Sequence, residues 1–147
     1  MKFFCDVMLG KLAKYLRILG FDTRYENKIR EEDLFLIARR EGRKIITKKV
    51  KLKGMEDVIY LDIDSPKEQL RFLFEKLNLK EKMEPFSRCL VCNEELQEIK
   101  KEEAKGKVPY YTYQTQEKFS LCPSCQRIYW PGTHLRDMER LLKSLTS

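Results

Sequence analysis

The fold is decided by residues 2–20, KFFCDVMLGKLAKYLRILG. The compact apolar run Lys2–Cys5 predicts a buried β-strand that ends at Asp6. Leucine and alanine then recur at helical spacing from Leu9 to Leu19, whereas the basic residues of this segment fall on the opposite face. Gly20 is a natural end for such a helix. A strand that runs directly into an amphipathic helix is typical of an α/β fold with a parallel sheet.

The same pattern continues as far as residue 84. The sequence predicts further strands at residues 21–25, 44–47 and 58–63. A second helix begins at Glu31 with acids in its first turn, and a third begins with Pro66 at its first position. The resulting order is strand, helix, strand, helix, strand, strand, helix. This order predicts a mostly parallel sheet flanked by helices.

The composition indicates a folded protein, because 42% of the residues are hydrophobic and 11% are aromatic. The polar stretch Lys80–Pro85 predicts a boundary between a first domain over residues 1–84 and a small module over residues 85–147. No apolar run approaches the length of about 18 residues that a membrane span needs. The first nine residues also lack the apolar run of a secretory signal. We therefore expect a cytoplasmic protein with reduced thiols and no membrane partner.

Two Cys-x-x-Cys pairs dominate the second module. They lie in RCLVCN and LCPSCQ and consist of Cys89, Cys92, Cys122 and Cys125. This spacing predicts one tetrahedral zinc ion in a zinc ribbon, and a closed four-thiolate site has a structural role. The alternatives are a redox pair or two unrelated pairs. Between the pairs, the aromatic residues 109–113 predict a strand, whereas Cys5, in the first strand, is expected to be a small core residue.

Carboxylates are expected where the parallel strands end, which is where open sheets bind ligands. The candidates are Asp6, Asp33, Asp62 and Asp64. Together they would hold Mg²⁺ or Mn²⁺, and a pair of such ions activates water against a phosphodiester. The alternative is that Asp33 only charges a helix start and that Asp62 and Asp64 are turn residues.

Positive charge is concentrated in residues 39–53, here called the basic segment, in a chain whose net charge is +7. We consider seven of its residues candidate RNA contacts: Arg39, Arg40, Arg43, Lys48, Lys49, Lys51 and Lys53. Such a cluster attracts phosphates. The alternative is a solvated face in a Lys/Glu-rich protein of thermophilic type.

The stretch RIYWPGTH, residues 127–134, has two interpretations. Tyr129, Trp130 and His134 can stack on bases or contact a phosphate. Alternatively, the aromatic residues pack the ribbon against the first domain, and Thr133 caps a final helix. We expect packing for Tyr129 and Trp130, and His134 remains a candidate RNA contact.

In combination, the motifs resemble the Mut-seven C-terminal RNase domain family, a PIN-like nuclease domain with an appended zinc ribbon. The motifs that carry the resemblance are FFCDVMLGKLAKYLRILGFDTRY, EEDLFLIARREGRKIITKK, QLRFLF, SRCLVCN and CPSCQRIYWPGTH. The resemblance implies a three-layer α/β/α fold, a metal-dependent ribonuclease ancestry and RNA as a partner. In it, Asp6 matches the first acid of the family and Asp33 matches the acid that opens the second helix.

One position departs from the family. The third-strand motif of the family resembles Leu-Thr-Arg-Asp, but here it is Ile46-Thr47-Lys48-Lys49, so that Lys49 stands where an acid is expected. Three hypotheses follow: a ribonuclease that uses Mg²⁺ or Mn²⁺, a non-catalytic RNA-binding or adaptor protein, and a module that binds a protein partner. Because a lysine competes with a cation for the carboxylates, we expect RNA binding with weak or absent cleavage.

Overall fold

The computed structural model describes residues 1–132 and 134–146. Its first part is a four-stranded parallel sheet in the order β2-β1-β3-β4, which confirms the predicted α/β fold. The strands are β1 (Lys2–Cys5), β2 (Asp22–Tyr25), β3 (Lys44–Thr47) and β4 (Val58–Tyr60). The last strand is shorter than predicted, although the N–H of Leu61 still donates to the carbonyl of Thr47 at 3.0 Å.

Helices cover both faces of this sheet. They are α1 (Gly10–Ile18), α2 (Glu31–Glu41) and α3 (Pro66–Leu77); one short 3₁₀ turn, Val50–Leu52, follows β3, and another, Leu79–Lys82, follows α3. Because side chains alternate along a strand, Phe3 and Phe4 point to opposite faces. Phe3 lies in the larger core cluster with α1 and α3, whereas Phe4 packs with Leu34 and Ala38 of α2. The result is the three-layer α/β/α arrangement that the sequence predicted.

Gly20 fixes the path of the chain after residue 78. It has a φ of +92°, and a Cβ atom there would lie 2.2 Å from the carbonyl oxygen of Glu84. The N–H groups of Glu84 and Phe86 donate to the carbonyls of Leu19 and Ile18, each at 2.9 Å. A residue other than glycine would push this connection away from the end of α1.

The second part is a cysteine ribbon built on a three-stranded antiparallel sheet. It contains β5 (Gln97–Ile99), α4 (Lys101–Ala104), α5 (Tyr110–Thr115), β6 (Phe119–Leu121) and β7 (Ile128–Tyr129). The predicted strand at residues 109–113 is wrong, because Tyr113 donates its N–H to the carbonyl of Pro109 at 3.0 Å and the segment is helical. Tyr110 and Tyr111 are 78% and 77% exposed, so no packed sheet surface favours an extended chain here.

The final helix α6 (His134–Thr146) returns to the first part of the chain. Its Leu141 is 7% exposed and belongs to the core cluster of α1 and α3. The guanidinium of Arg71, in α3, donates to the carbonyl of Ser144. The predicted cap Thr133 lies outside the described residues, and the domain boundary after residue 84 stays a prediction. Within the described part of the chain, no helix has the length and apolarity needed to cross a membrane.

Candidate functional site

Asp6 lies at the point where the strand order of the parallel sheet reverses, between β1 and β3. Open α/β sheets bind ligands at such a point. The residue is 2% exposed. Its Oδ1 accepts a hydrogen bond from the N–H of Val7 at 2.7 Å, and its Oδ2 accepts one from the hydroxyl of Thr47 at 2.8 Å. The backbone N–H of Asp6 donates to the carbonyl of Ile46, so β3 sets the position of the carboxylate.

Lys49 completes a cluster with Asp6, and this cluster also contains Glu31 and Lys51. We call these four residues the Asp6 site. The Nζ atom of Lys49 lies 3.7 Å from Asp6 Oδ2 and 3.6 Å from Glu31 Oε2. Lys51 Nζ lies 3.0 Å from the same oxygen of Glu31. The N–H of Lys49 also donates to Thr47 Oγ1 at 3.1 Å, which fixes the start of its side chain.

The charges of the Asp6 site cancel, because two carboxylates face two ammonium groups. Carboxylate oxygens are the donors that Mg²⁺ and Mn²⁺ prefer. Here, however, the Lys49 ammonium lies between Asp6 and Glu31, within 4 Å of both oxygens. A divalent cation that binds both carboxylates has to displace this ammonium, so the residues present fit such a cation poorly.

The remaining predicted carboxylates have other contacts. Asp33 Oδ2 lies 3.3 Å from Arg30 Nε, and the Asp33 side chain is 47% exposed. Asp64 is paired with Lys48, whose hydrogen bond and charge lower the pKa of the Asp64 carboxyl. Asp62 is exposed. The structure therefore brings Asp6 together with Glu31 and Lys49, and it places Asp64 beside Lys48.

Sequence reasoning did not single out Glu31. The available signal was the run of three acids, Glu31, Glu32 and Asp33, in the first turn of α2. Glu31 and Asp33 are two positions apart and thus point about 200° apart around the helix axis. Only one of the two can face the end of β1, and in the structure it is Glu31 that contacts Lys49.

The basic segment does not act as one surface. Arg43 is 10% exposed, and its guanidinium contacts Asp22 Oδ1 and Glu41 Oε1, each at 2.7 Å. Arg39 and Arg40 are exposed at the end of α2, and Lys53 lies 5.2 Å from the ring centre of Tyr60. The guanidinium of Arg43 therefore joins strands and loops within the first part of the chain. Its predicted role as an RNA contact stays a prediction.

The second candidate centre is the group of four cysteines. The sulfurs of Cys89, Cys92, Cys122 and Cys125 all lie within 4.8 Å of one another. Zinc–sulfur bonds of about 2.3 Å in a tetrahedron place neighbouring sulfurs about 3.8 Å apart. The Sγ atoms of Cys89 and Cys125 are 3.7 Å apart. The arrangement thus fits one zinc ion with all four cysteines as its ligands.

The two cysteine pairs have the same backbone structure. The N–H of the first cysteine in each pair donates to the carbonyl five residues later: Cys89 to that of Glu94 and Cys122 to that of Arg127, both at 2.9 Å. Asn93 and Gln126, which follow the second cysteines, have φ values of 64° and 65°. This repetition is expected of two knuckles that present paired thiolates to one metal.

The sulfurs of Cys92 and Cys125 differ in acidity. A hydrogen bond from the backbone N–H of Arg127 lowers the pKa of Cys125 to about 6, so this sulfur is a thiolate at neutral pH. A hydrogen bond with Cys125 raises the pKa of Cys92 to about 12. Thiol protons compete with a metal cation for the same sulfur electrons, so acid is expected to weaken metal binding here.

The first knuckle is attached to the edge strand of the parallel sheet. Asn93 Oδ1 accepts the N–H of Thr23, in β2, at 2.9 Å, and Asn93 Nδ2 donates to Asp22 Oδ1 at 2.6 Å. Arg17 donates from Nε to the carbonyl of Thr23 and from Nη1 to the carbonyl of Leu90, both at 2.8 Å. The cysteine ribbon and the sheet therefore share a continuous hydrogen-bond network.

The aromatic residues near the last knuckle pack within the ribbon. The Tyr129 hydroxyl lies 3.0 Å from Cys89 Sγ and accepts the N–H of Leu90 at 3.2 Å. The ring of Trp130 lies 6.3 Å from that of Phe119, with an angle of 60° between the planes. The side chain of His134 lies outside the part of the chain that the structure describes.

A three-layer α/β/α sheet with Asp6 at its switch point, followed by a four-cysteine ribbon, is the architecture expected of a PIN-like domain with a zinc ribbon. The chain matches the model of the Mut7-C RNAse domain over residues 1–142. It therefore belongs to the Mut7-C RNAse domain family, as the motifs predicted. No curated protein and no solved structure matches the chain.

Proposed function

We propose that this protein binds RNA along the carboxyl edge of its parallel sheet and that Lys49 restrains the metal-dependent cleavage that the ribonuclease family implies. One observation carries the proposal: Lys49 Nζ lies within 4 Å of both the buried carboxylate of Asp6 and that of Glu31. Membership of the Mut7-C RNAse domain family supplies the ribonuclease-related function.

The restraint follows from charge. A metal-dependent nuclease needs carboxylates that hold a divalent cation, which activates water and stabilises the leaving oxygen. At the Asp6 site the ammonium of Lys49 already neutralises these groups, and an ammonium carries no water molecule to activate. Lysine does attract phosphates, so the same substitution weakens cleavage while it retains affinity for RNA.

The cysteine ribbon has a structural role in this proposal. One zinc ion joins the two knuckles and holds the residues after about position 84 as a small module behind the sheet of residues 1–84. None of the five cysteines forms a disulfide. Free thiols support a cytoplasmic location, where thiols remain reduced and bind metal.

The test compares the wild-type chain with Lys49→Asp and Lys53→Asp. Both substitutions replace one lysine of the basic segment by an acid, but only Lys49→Asp adds a carboxylate beside Asp6. Each protein is titrated with Mn²⁺ and with Mg²⁺ and scored for cleavage of a single-stranded and a hairpin RNA. We expect Lys49→Asp alone to gain cleavage, and we expect the added change Asp6→Asn to remove it.

One result for the wild-type chain would contradict the proposal. If the wild-type protein cleaves in Mn²⁺ as fast as Lys49→Asp and loses this activity in Asp6→Asn, Lys49 does not restrain the site. RNA affinity is measured in parallel at several salt concentrations. A steep loss of affinity with salt is expected, because lysines that contact phosphates release counterions from the RNA.

A further inference from the structure

A cavity of about 710 Å³ lies between the cysteine ribbon, α1 and α6. Its volume falls in the range of pockets that hold small ligands. No residue of the Asp6 site lines it, so it is separate from the edge of the sheet considered above. Elements from both parts of the chain line the cavity, among them Tyr15 and Ile18 of α1 and Trp130 and Pro131 of the ribbon.

The inner wall of the cavity is aromatic and held in place. Trp130 and Phe119 both line it, with their ring centres 6.3 Å apart. Tyr129 is fixed through its hydroxyl, which contacts Cys89 Sγ and the N–H of Leu90. An aromatic surface that is already ordered loses little conformational entropy when a flat ligand stacks on it.

The rim of the cavity is positive. Lys67, Lys118 and Arg140 are exposed and line it, and none of them has an ion-pair partner among the described residues. Arg88 also lines the cavity, but its guanidinium donates to the carbonyls of Gly20 and Asn93. Glu98 is the one acid among the lining residues that the structure describes.

We propose that this cavity binds a nucleotide of a single-stranded RNA segment, with its base against Trp130 and its phosphates near Lys118 and Arg140. An aromatic wall beside cations that have no ion-pair partner among the described residues matches a ligand that has both a flat ring and negative charge. A base must leave its stack to enter a concave pocket, and this requirement selects single-stranded over duplex RNA. The inference rests on the proposed RNA binding and adds a second, base-contacting site to it.

Trp130 supplies a direct readout, because it is the only tryptophan in the chain. A base that stacks on Trp130 should quench its fluorescence, whereas RNA bound elsewhere should not. The zinc-loaded protein is titrated with a short oligoadenylate, an abasic ribose-phosphate oligomer of equal length, AMP and oligoglutamate. Total RNA binding is followed separately by the fluorescence anisotropy of an end-labelled oligoadenylate.

Variants test the rim without disturbing the core. Lys118→Gln combined with Arg140→Gln should weaken oligoadenylate binding about fivefold, since two exposed charge contacts are lost. Lys105→Gln combined with Lys107→Gln removes the same charge from exposed positions that do not line the cavity, and it should change affinity less than twofold. Trp130→Leu should weaken binding about tenfold, which is within the range for loss of one stacking contact.

The readouts separate this proposal from the proposed function. If anisotropy shows RNA binding but Trp130 is not quenched, and the rim and control variants bind with equal affinity, the cavity proposal alone is overturned. No anisotropy change at low salt overturns RNA binding and the cavity proposal together. Equal quenching by the abasic oligomer, AMP or oligoglutamate shows a different occupant and also overturns the cavity proposal.

Discussion

The side-chain oxygen of Asn93 accepts the backbone N–H of Thr23 at 2.9 Å, so a residue of the first cysteine knuckle binds the outer side of the edge strand β2. Edge strands present unpaired backbone groups to their surroundings. Here the amide of Asn93 satisfies one of them and also donates to Asp22. The metal-binding ribbon thus contributes to the stability of the sheet that carries Asp6.

The first prediction concerns the side chain of Asn93. Asn93→Gly retains the positive φ of 64° and removes only the amide. We expect the free energy of unfolding to fall by about 1–2 kcal/mol in urea denaturation, because a hydrogen bond to the buried strand and one to Asp22 are lost. Gln126→Gly is the matched control, since Gln126 has a φ of 65° but its side chain donates only to the local carbonyl of Pro123. Equal stability of both variants would show that the Asn93 contacts contribute nothing.

The second prediction concerns the metal itself. We expect one zinc ion per chain, and we expect cobalt(II) to give the visible spectrum of a tetrahedral thiolate site. Cys92→Ala should lose this spectrum and lower the thermal midpoint, because metal binding contributes to folding. Cys5→Ala is the control: Cys5 is fully buried in β1, away from the four-cysteine group, so its replacement should leave the metal content unchanged. Metal content that is unaffected by Cys92→Ala would contradict the four-ligand site.

The elements of the parallel sheet could be predicted from the sequence because their signals are strong and local. The helical spacing from Leu9 to Leu19 corresponds to α1, and Pro66 does begin α3. Aromatic composition at residues 109–113 predicted a strand and was wrong. Aromatic residues favour strands when a sheet buries them, but Tyr110 and Tyr111 remain exposed on a short helix.

The site was harder to predict, since it depends on the direction in which each side chain points as well as on its position along the chain. The sequence placed Asp6 and Lys49 at the ends of neighbouring strands, and the structure puts their charged groups 3.7 Å apart. It pointed to Asp33 and not to Glu31, because both acids lie in the first turn of α2 and only the orientation of the helix on the sheet selects one. The docking of Asn93 on Thr23 joins residues 70 positions apart, for which no local pattern gives a signal.

The third prediction measures the coupling between Lys49 and Asp6. A double-mutant cycle of Lys49→Met and Asp6→Asn should give a coupling energy of about 0.5–1 kcal/mol, kept small because the Lys49 side chain is 34% exposed. Unfolding free energies come from urea titrations of the zinc-loaded proteins. A cycle of Lys53→Met with Asp6→Asn is the control and should show no coupling. Equal coupling in both cycles would mean that the effect is the general charge of the basic segment.

The fourth prediction uses Asp22, at the start of β2, which joins Arg43 to Asn93 of the ribbon. Burial alone would raise the pKa of Asp22, but hydrogen bonds from Arg43 and Asn93, together with the charges of Arg43 and Arg88, outweigh burial and lower it. Since the pKa in the folded protein lies below the unfolded value of about 3.9, the ionised carboxylate stabilises the fold above that value. This stability is lost as the pH falls through the folded pKa.

Asp22→Asn should therefore reduce the free energy of unfolding by about 1–2 kcal/mol at neutral pH, and the difference from wild type should shrink below about pH 4. The difference between the two proteins is the informative quantity, because acid also releases metal from both. Asp57→Asn is the matched control: Asp57 is exposed and has a φ of 59°, a conformation that asparagine tolerates. Urea titrations of the three proteins across the acidic range make the comparison. If the difference in unfolding free energy between Asp22→Asn and wild type does not change with pH, the Asp22 carboxylate is not stabilised by its contacts with Arg43 and Asn93.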